Sequence, residues 1–497
     1  MILLLNNNNE IFCSNIFNIE LFFFNDCSMS PLFDFSNYID NIAIKTDMSL
    51  EVSYRNLQEK SDAIKKHLES NRLAFCLCTN TISSIVGYIA FVQHGIPVVL
   101  LDAYKDTELI CHLIEIYRPN YIWAPKTLFF GEIIYEDDSY CLDVCSDEPL
   151  EIFQGTAVLL TTSGSTGSPK LVRLTQDNLR HNAESIAEYL EIDEHERPIT
   201  SLPMYYSYGL SVINSHFIKG ATILLTSKIF LEKSFWDFAK AEDATSFAGV
   251  PYTYEMLKKL RFFQMDLPCL KTMSQAGGKL NPDIVKEFID FAKENDKKFI
   301  VMYGQTEAAP RMSYLPFEWS SEKYASIGIA IPGGNFSLLD SDNREIIEPE
   351  KEGELVYEGN NVCLGYAETR EDLSKGDENQ GVLHTGDVAK RDADGFYYIT
   401  GRMKRFVKIW GNRCNLDAIE QLIKPLTTNC ACVGKDDRIT VFITDPSISD
   451  DVKNYLSRKT GFNSHAFDVL VIDSIPKKES GKIDYSALNN YIHQYKH

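Results

Sequence analysis

Short apolar runs of strand length alternate with amphipathic segments of helix length through about the first 300 residues, and this alternation narrows the fold more than any other feature. Leu73–Cys78 reads as a strand, Ser83–His94 as a helix and Pro97–Leu101 as a second strand. Glu108–Tyr117 then reads as a helix and Asn120–Trp123 as a strand. The rhythm returns at Ile199–Leu202, Ala221–Leu225, Ala244–Gly249 and Phe299–Met302. Strands separated by helices imply βαβ units, hence parallel sheets covered on both faces. After about Pro332 the texture changes to shorter β segments, Phe336–Leu339, Gly353–Tyr357 and Phe396–Thr400. The last stretch mixes strands (Ile439–Ile443, Val469–Ile472) with helices (Leu416–Ile423, Asp450–Lys459). The expectation is an α/β chain: a large N-terminal body of parallel-sheet βαβ subdomains, a small β subdomain after about 332, and a small α+β C-terminal domain.

Charge and cysteine usage exclude several classes. The 497 residues carry 70 Asp+Glu against 49 Lys+Arg, a formal charge of −21. A general nucleic-acid binder draws its affinity from Lys and Arg on phosphates, so none is expected here, although a local nucleotide pocket is compatible with an acidic whole. No run reaches the ~18–20 apolar residues of a membrane-spanning helix. No basic segment precedes the apolar run Ile2–Leu5, which argues against a cleaved signal peptide. The 12 cysteines are scattered, and Cys76/Cys78, Cys141/Cys145 and Cys430/Cys432 lack the C-x₂-C spacing of structural zinc. They read as reduced thiols, which places the chain in the cytoplasm.

The strongest local signal is Leu160-Thr-Thr-Ser-Gly-Ser-Thr-Gly-Ser-Pro-Lys170. An apolar strand, Ala157–Leu160, feeds a loop whose Thr162, Ser163, Gly164, Ser165, Thr166 and Gly167 offer hydroxyls and exposed backbone N–H groups. Lys170 adds a mobile positive charge. Together they suit a polyphosphate, and the loop does not satisfy the Walker pattern of P-loop nucleotidases.

The loop resembles the phosphate-binding loop of the AMP-forming adenylating superfamily, which contains acyl- and aryl-CoA synthetases, nonribosomal peptide synthetase adenylation domains and luciferase. Further segments resemble that family's motifs in the same order: Tyr303-Gly-Gln-Thr-Glu307, Leu383-His-Thr-Gly-Asp387, Gly401-Arg402-x-Lys404 with Val407-Lys408-x-x-Gly411, and Pro476-x₃-Ser480-Gly-Lys482. The likeness runs from about Glu51 to Leu488, and the leading segment with Asn6–Asn9 and Leu21–Phe24 matches no pattern. It implies a boundary between a large domain, 1–402, binding ATP and the acid, and a small mobile domain, 403–497, carrying the catalytic lysine.

The implied chemistry is attack of a carboxylate on the α-phosphorus of ATP. Both partners are anions, so positive charge and donors must meet the charge that develops. By resemblance, Thr306 donates to the α-phosphate and Glu307 helps hold Mg²⁺. Gly277 and Gly278 let the backbone lie flat against adenine, Tyr303 and Gly304 belong to the ATP site, and Asp387 and Arg402 take the ribose. Lys482 bridges carboxylate and α-phosphate in the first half-reaction. Lys404 is the hinge about which the small domain turns, bringing Lys408 and Gly411 to the entry channel for a thiol. Trp410 and Cys414 occupy places often filled by other residue types.

Pro203-Met-Tyr-Tyr-Ser-Tyr-Gly-Leu210 resembles the stretch lining the acyl pocket, with Tyr206 at its aromatic position and Ser207 after it. Val250 and Met302 would line other walls. No carboxylate follows Tyr206 closely, which disfavours an α-amino acid and leaves a moderate aryl or short acyl acid. The acyl acceptor stays open between CoA, a separate phosphopantetheinyl carrier protein and an amine. A further reading is a family member that binds nucleotide without turnover.

Overall fold

The computed structural model describes residues 31–104, 107–161, 170–410, 412–435, 437–478 and 483–495. Among these, the body beginning at Leu32 holds two large mixed sheets, a four-stranded antiparallel sheet and a small C-terminal sheet. The first sheet runs Gly365–Ala367, Leu171–Thr175, Thr156–Thr161, Val98–Asp102, Ala74–Cys78, Tyr121–Pro125, Tyr140–Val144, Glu132–Glu136. The second runs Ile329–Ala330, Arg311–Tyr314, Lys298–Gly304, Thr272–Gln275, Ser246–Gly249, Pro198–Ile199, Ile223–Leu225, Ile42–Thr46, Glu51–Ser53.

The sheet interiors are parallel, as the alternation predicts, but the edges correct it: the outer strands of both sheets pair antiparallel. The reason lies in the connections. Ile42–Thr46 and Glu51–Ser53, or Lys298–Gly304 and Arg311–Tyr314, are separated by too few residues for a parallel crossover, which takes a dozen or more. Central strands such as Ala74–Cys78 and Tyr121–Pro125 are buried at every position, as strands covered on both faces must be.

One apolar core joins the two sheets. Ala74, Cys76, Val98 and Leu100 of the first and Ala43, Ile44, Ile223 and Leu225 of the second pack with residues of three helices, Ile82–Gln93, Gln176–Tyr189 and Ser207–Phe217. Residues ahead of Glu51 belong to this core as well. Phe33 meets Tyr88 edge-on at 5.5 Å, Phe35 lies 4.9 Å from Tyr54, and Ile44 pairs with Ile223. The body therefore starts earlier than the motif likeness does.

The four-stranded sheet is Gly334–Leu339, Glu352–Gly359, Val382–Arg391 and Tyr397–Arg402. Beyond it come the hairpin Phe406–Ile409/Asn412–Asn415 and the sheet Cys430–Lys435, Arg438–Ile443, Phe467–Val471. The helices Leu416–Ile423 and Ser449–Thr460 cover this sheet over an apolar cluster that includes Ile419, Cys432, Val441 and Leu456. The ten described cysteines are free thiols, and no described helix is long and apolar enough to cross a membrane.

The edge strand Gly365–Ala367 is secured by Arg173, a fully buried residue of the strand beside it. Its guanidinium donates to the carbonyls of Lys375, Leu364 and Gly376 and to Glu378 Oε2 at 2.8 Å. Replacing Arg173 with Met leaves those carbonyls without a donor. Arg173→Met should lower the urea midpoint by the equivalent of about 2–4 kcal/mol. A midpoint equal to that of the native chain would show that the edge strand is held by its backbone ladder alone.

Candidate active site

The end of Lys298–Gly304 meets the four-stranded sheet, and the residues that can do chemistry gather there. Asp387 is 2% exposed. It sits directly across the antiparallel ladder from Arg402, whose Nε donates to Oδ1 at 2.9 Å. Oδ2 accepts from the Tyr303 hydroxyl at 2.5 Å and from the Gln305 amide at 3.1 Å. Gln305 also donates to the Thr385 carbonyl at 3.0 Å. Burial, and after it the Asp387 charge, push the Tyr303 phenol well above its ordinary range, so it stays a donor.

The turn after Tyr303 is forced by close packing. Gly304 pairs with Arg311 where the chain doubles back, and a Cβ on Gly304 would lie 2.0 Å from the Pro310 carbonyl oxygen. The reversal leaves Thr306–Ala308 as a single 3₁₀ turn presenting two functional side chains. The Thr306 hydroxyl is hydrogen-bonded to Ser207 Oγ at 3.1 Å. Glu307 Oε1 accepts from the Tyr366 hydroxyl at 2.6 Å. Burial and the Glu307 charge raise the Tyr366 phenol too. Lys170 lies 5.5 Å from the Tyr366 ring centre and 2.5 Å from Glu368. Tyr366 thus links the turn bearing Glu307 to the lysine that closes the glycine-rich loop.

Tyr206, Val250 and Met302 join one apolar cluster with Tyr208, Ala248 and Ala276. Gly277, at φ +84°, touches it: a Cβ there would lie 2.6 Å from Tyr206 Oη and 3.2 Å from Val250 Cγ1. Gly278 follows, its carbonyl accepting from the Gln275 amide at 2.9 Å. Of the flanking tyrosines, Tyr208 is buried with its hydroxyl on the Ser274 carbonyl, whereas Tyr205 bonds to Asp102 of the first sheet. A narrow cavity borders this cluster, lined by Val212, Ser215, His216, Ser246, Ser274 and Arg311 among others.

In the C-terminal part, Lys404 lies in the 3₁₀ turn Met403–Arg405 and Lys408 on the first strand of the hairpin, exposed. Trp410 has a positive φ of 47° and is exposed, while Cys414 is buried in the C-terminal apolar cluster, which pushes its thiol up to about 11. Arg405 is tied to Asp417, to Glu420 at 2.7 Å and to the Cys432 carbonyl, with its guanidinium on the Tyr485 ring at 3.8 Å. Lys482, Gly411, Thr162, Ser163, Gly164, Ser165, Thr166 and Gly167 lie outside the described residues.

The structure therefore brings Tyr303, Asp387 and Arg402 together, sets Thr306 against Ser207, and gathers Tyr206, Val250, Met302 and Gly277. Three further residues belong to these groups and were not singled out from sequence. Gln305 sits inside the Tyr303–Glu307 motif and was the signal at hand. Tyr366 and Arg311 had no such marker, since their partners are distant in the chain. No group of three or more His, Cys, Asp or Glu among the described residues could hold a metal unaided. Glu307 offers a hard carboxylate, which fits Mg²⁺ only where phosphate oxygens and water supply the other ligands.

A family model described as AMP-binding enzyme matches residues 36–367. The chain is similar to a feruloyl-CoA synthase of Amycolatopsis sp, 28% identical over 358 residues, covering 69% of this chain and 72% of the relative. It is also similar to a long-chain-fatty-acid–CoA ligase of Escherichia coli O157:H7, 30% identical over 353 residues, 68% of this chain and 62% of the relative. Among solved structures, the o-succinylbenzoate CoA synthetase of Bacillus subtilis in complex with its acyl-adenylate intermediate has the same fold, with a TM-score of 0.73 at 21% identity over 90% of this chain and 95% of that one.

His216 gives a pH signature. Burial holds its imidazole down to about 4, while an unfolded histidine titrates near 6.5. The folded pKa is depressed, so the unfolded chain binds more protons between these values. The stability from a neutral His216 is present above pH ~6.5 and is lost as pH falls towards 4, at about 1.4 kcal/mol per pH unit. Stability of the native chain should fall over that window, and His216→Gln should flatten the slope. Parallel profiles for the two proteins would rule out His216 as the titrating group.

Proposed function

This chain belongs to the AMP-binding enzyme family, and on that premise we propose that it joins a small carboxylic acid to ATP, forming an acyl-adenylate and pyrophosphate, and then passes the acyl group to the thiol of CoA with release of AMP. The carboxylate oxygen attacks the α-phosphorus, the bond to pyrophosphate breaks, and in the second step the thiolate displaces AMP at the acyl carbon. The observation that carries this reading is the buried Asp387 carboxylate beside the Thr306 turn. Its Oδ2 is filled by Tyr303 and Gln305, while Oδ1 takes Arg402 and keeps a lone pair for a ribose hydroxyl.

The other roles are those that the resemblance implies. The loop 162–167 and Lys170 hold the outer phosphates. Thr306, steadied by Ser207, donates to the α-phosphate, where negative charge accumulates. Tyr366 orients Glu307 for Mg²⁺, which when bound neutralises charge on the phosphates. Gly277 and Gly278 leave room for adenine, and Tyr206, Ser207, Val250 and Met302 border the acid. Lys482 bridges the two reacting anions.

The small domain begins at 403 and turns at Lys404. Arg402, before the turn, is bound to Asp387 in the large domain, and Arg405, after it, to Asp417 and Glu420 in the small one. Two anchored residues so close together concentrate any rotation on the pair between them. Rotation would bring Lys408 and Gly411 to the site for thiol attack. A second reading, loading of a separate phosphopantetheinyl carrier, shares every step but the acceptor; the CoA-ligase names of the relatives favour CoA.

Acid-dependent exchange of pyrophosphate into ATP, measured with the full chain, Mg²⁺ and pooled carboxylic acids, tests the first step. Exchange in one pool is the expected result, and silence in every pool overturns it. With the active acid, thioester should then appear on CoA; thioester on a carrier protein alone would select the second reading. Lys482→Ala should lose about 10²- to 10³-fold in exchange yet still form thioester from preformed acyl-adenylate. Equal loss of both steps would remove the rotation.

A further inference from the structure

Arg311, on the strand Arg311–Tyr314, is 2% exposed. Its guanidinium lies 3.9 Å from the centre of the Tyr208 ring. Nη1 donates to Met302 Sδ and Nη2 to Ser211 Oγ at 3.1 Å, while Nε is buried with no partner. No carboxylate among the described residues lies within 4.0 Å of it. The other buried arginines differ in this respect: Arg173 pairs with Glu378 at 2.8 Å and Arg370 with Glu148 at 3.7 Å. A guanidinium carries five donors and a fixed charge, so burying one against a thioether, a hydroxyl and a ring leaves both donors and charge uncompensated.

The place of this charge gives it meaning. Arg311 lines the cavity at the acid-binding cluster, together with Ser215, His216, Ser274 and Ser246, whose Oγ is likewise buried without a partner. His216 is neutral there, and the carboxylate in the lining, Glu196, is taken up by Lys271 at 3.6 Å and by the Thr245 hydroxyl. The helix Ser207–Phe217 acts as a ruler: Ser207 holds Thr306 at one level, and Ser211, one turn deeper on the same face, holds Arg311. The four residues between them rise about 6 Å along the helix.

We infer that Arg311 sets specificity by binding a second, distal carboxylate of the substrate, so that the acid activated is a short dicarboxylic acid. This rests on the adenylation reading, because the first carboxylate must sit at Thr306 for the ruler to apply. The distal carboxylate would accept two N–H bonds from a guanidinium poised to give them, and the span suits a short chain rather than a long apolar one.

The test is pyrophosphate exchange by the full chain with α,ω-dicarboxylic acids of roughly four to eight carbons, each against the monocarboxylic acid of equal length. The native chain should prefer the dicarboxylic acid by about 10- to 100-fold in kcat/KM. Arg311→Met should abolish or reverse that preference, chiefly through KM, and Arg311→Lys should restore part of it. A thermal shift on adding ATP shows that the variants keep the nucleotide site. The native chain's preference decides by itself if Arg311→Met fails to fold. Equal or better use of monocarboxylic acids by the native chain, or an intact preference in Arg311→Met, overturns this inference and leaves adenylation standing. Silence with every acid overturns both.

Discussion

The carboxylate of Asp387 is the point on which the rest of the site depends. It is nearly out of water, and it belongs to a different sheet from Tyr303, whose hydroxyl donates to it. A buried charge is tolerated only when its lone pairs are met by donors in good geometry, and here three side chains meet it. The register of the four-stranded sheet supplies Arg402 directly opposite, and the end of Lys298–Gly304 supplies Tyr303 and Gln305. Satisfying one carboxylate therefore ties the end of Lys298–Gly304, just ahead of the Thr306 turn, to the four-stranded sheet.

The same carboxylate defines one side of the connection to the C-terminal part. Arg402 is committed to Asp387, and Arg405 is committed to Asp417, Glu420 and the face of Tyr485. Arg402 is held within the four-stranded sheet and Arg405 by the helix Leu416–Ile423, and only Met403 and Lys404 lie between. Asn415 bridges the same gap, its amide on the Thr400 carbonyl and its side-chain oxygen capping Leu416–Ile423. For the rotation proposed above, anchored ends this close together would keep the dihedral change local.

Much of this was legible in the sequence, for physical reasons. Parallel strands buried on both faces must be continuously apolar, so Leu73–Cys78 and Asn120–Trp123 announced themselves. The motif Tyr303–Glu307 was readable because its residues are contiguous, and its Gly304 is required where the chain passes the Pro310 carbonyl. What escaped notice depends on partners far along the chain. Glu132–Glu136 is largely exposed and has no apolar run to mark it. Leu32–Phe35 and Ile42–Thr46 carry no motif, and only their packing against Tyr88, Tyr54 and Ile223 gives them a place. Arg311 is read as a charge in sequence. Its burial, and the lack of a counter-ion, exist only after Tyr208, Ser211 and Met302 have closed around it.

The short strand Gly365–Ala367 completes a sheet whose other strands all end before residue 176. Its neighbour's Arg173 finds the Leu364 carbonyl 191 residues further on. A chain emerging from its N-terminus thus builds most of the first sheet and then waits, with one edge open, while the second sheet and half of the next are made. An open edge invites pairing with other chains, and a charge in mid-strand is a common defence against it. Arg173 is such a charge in mid-strand, and its pairing with Glu378 at 2.8 Å waits for a residue 205 positions further on.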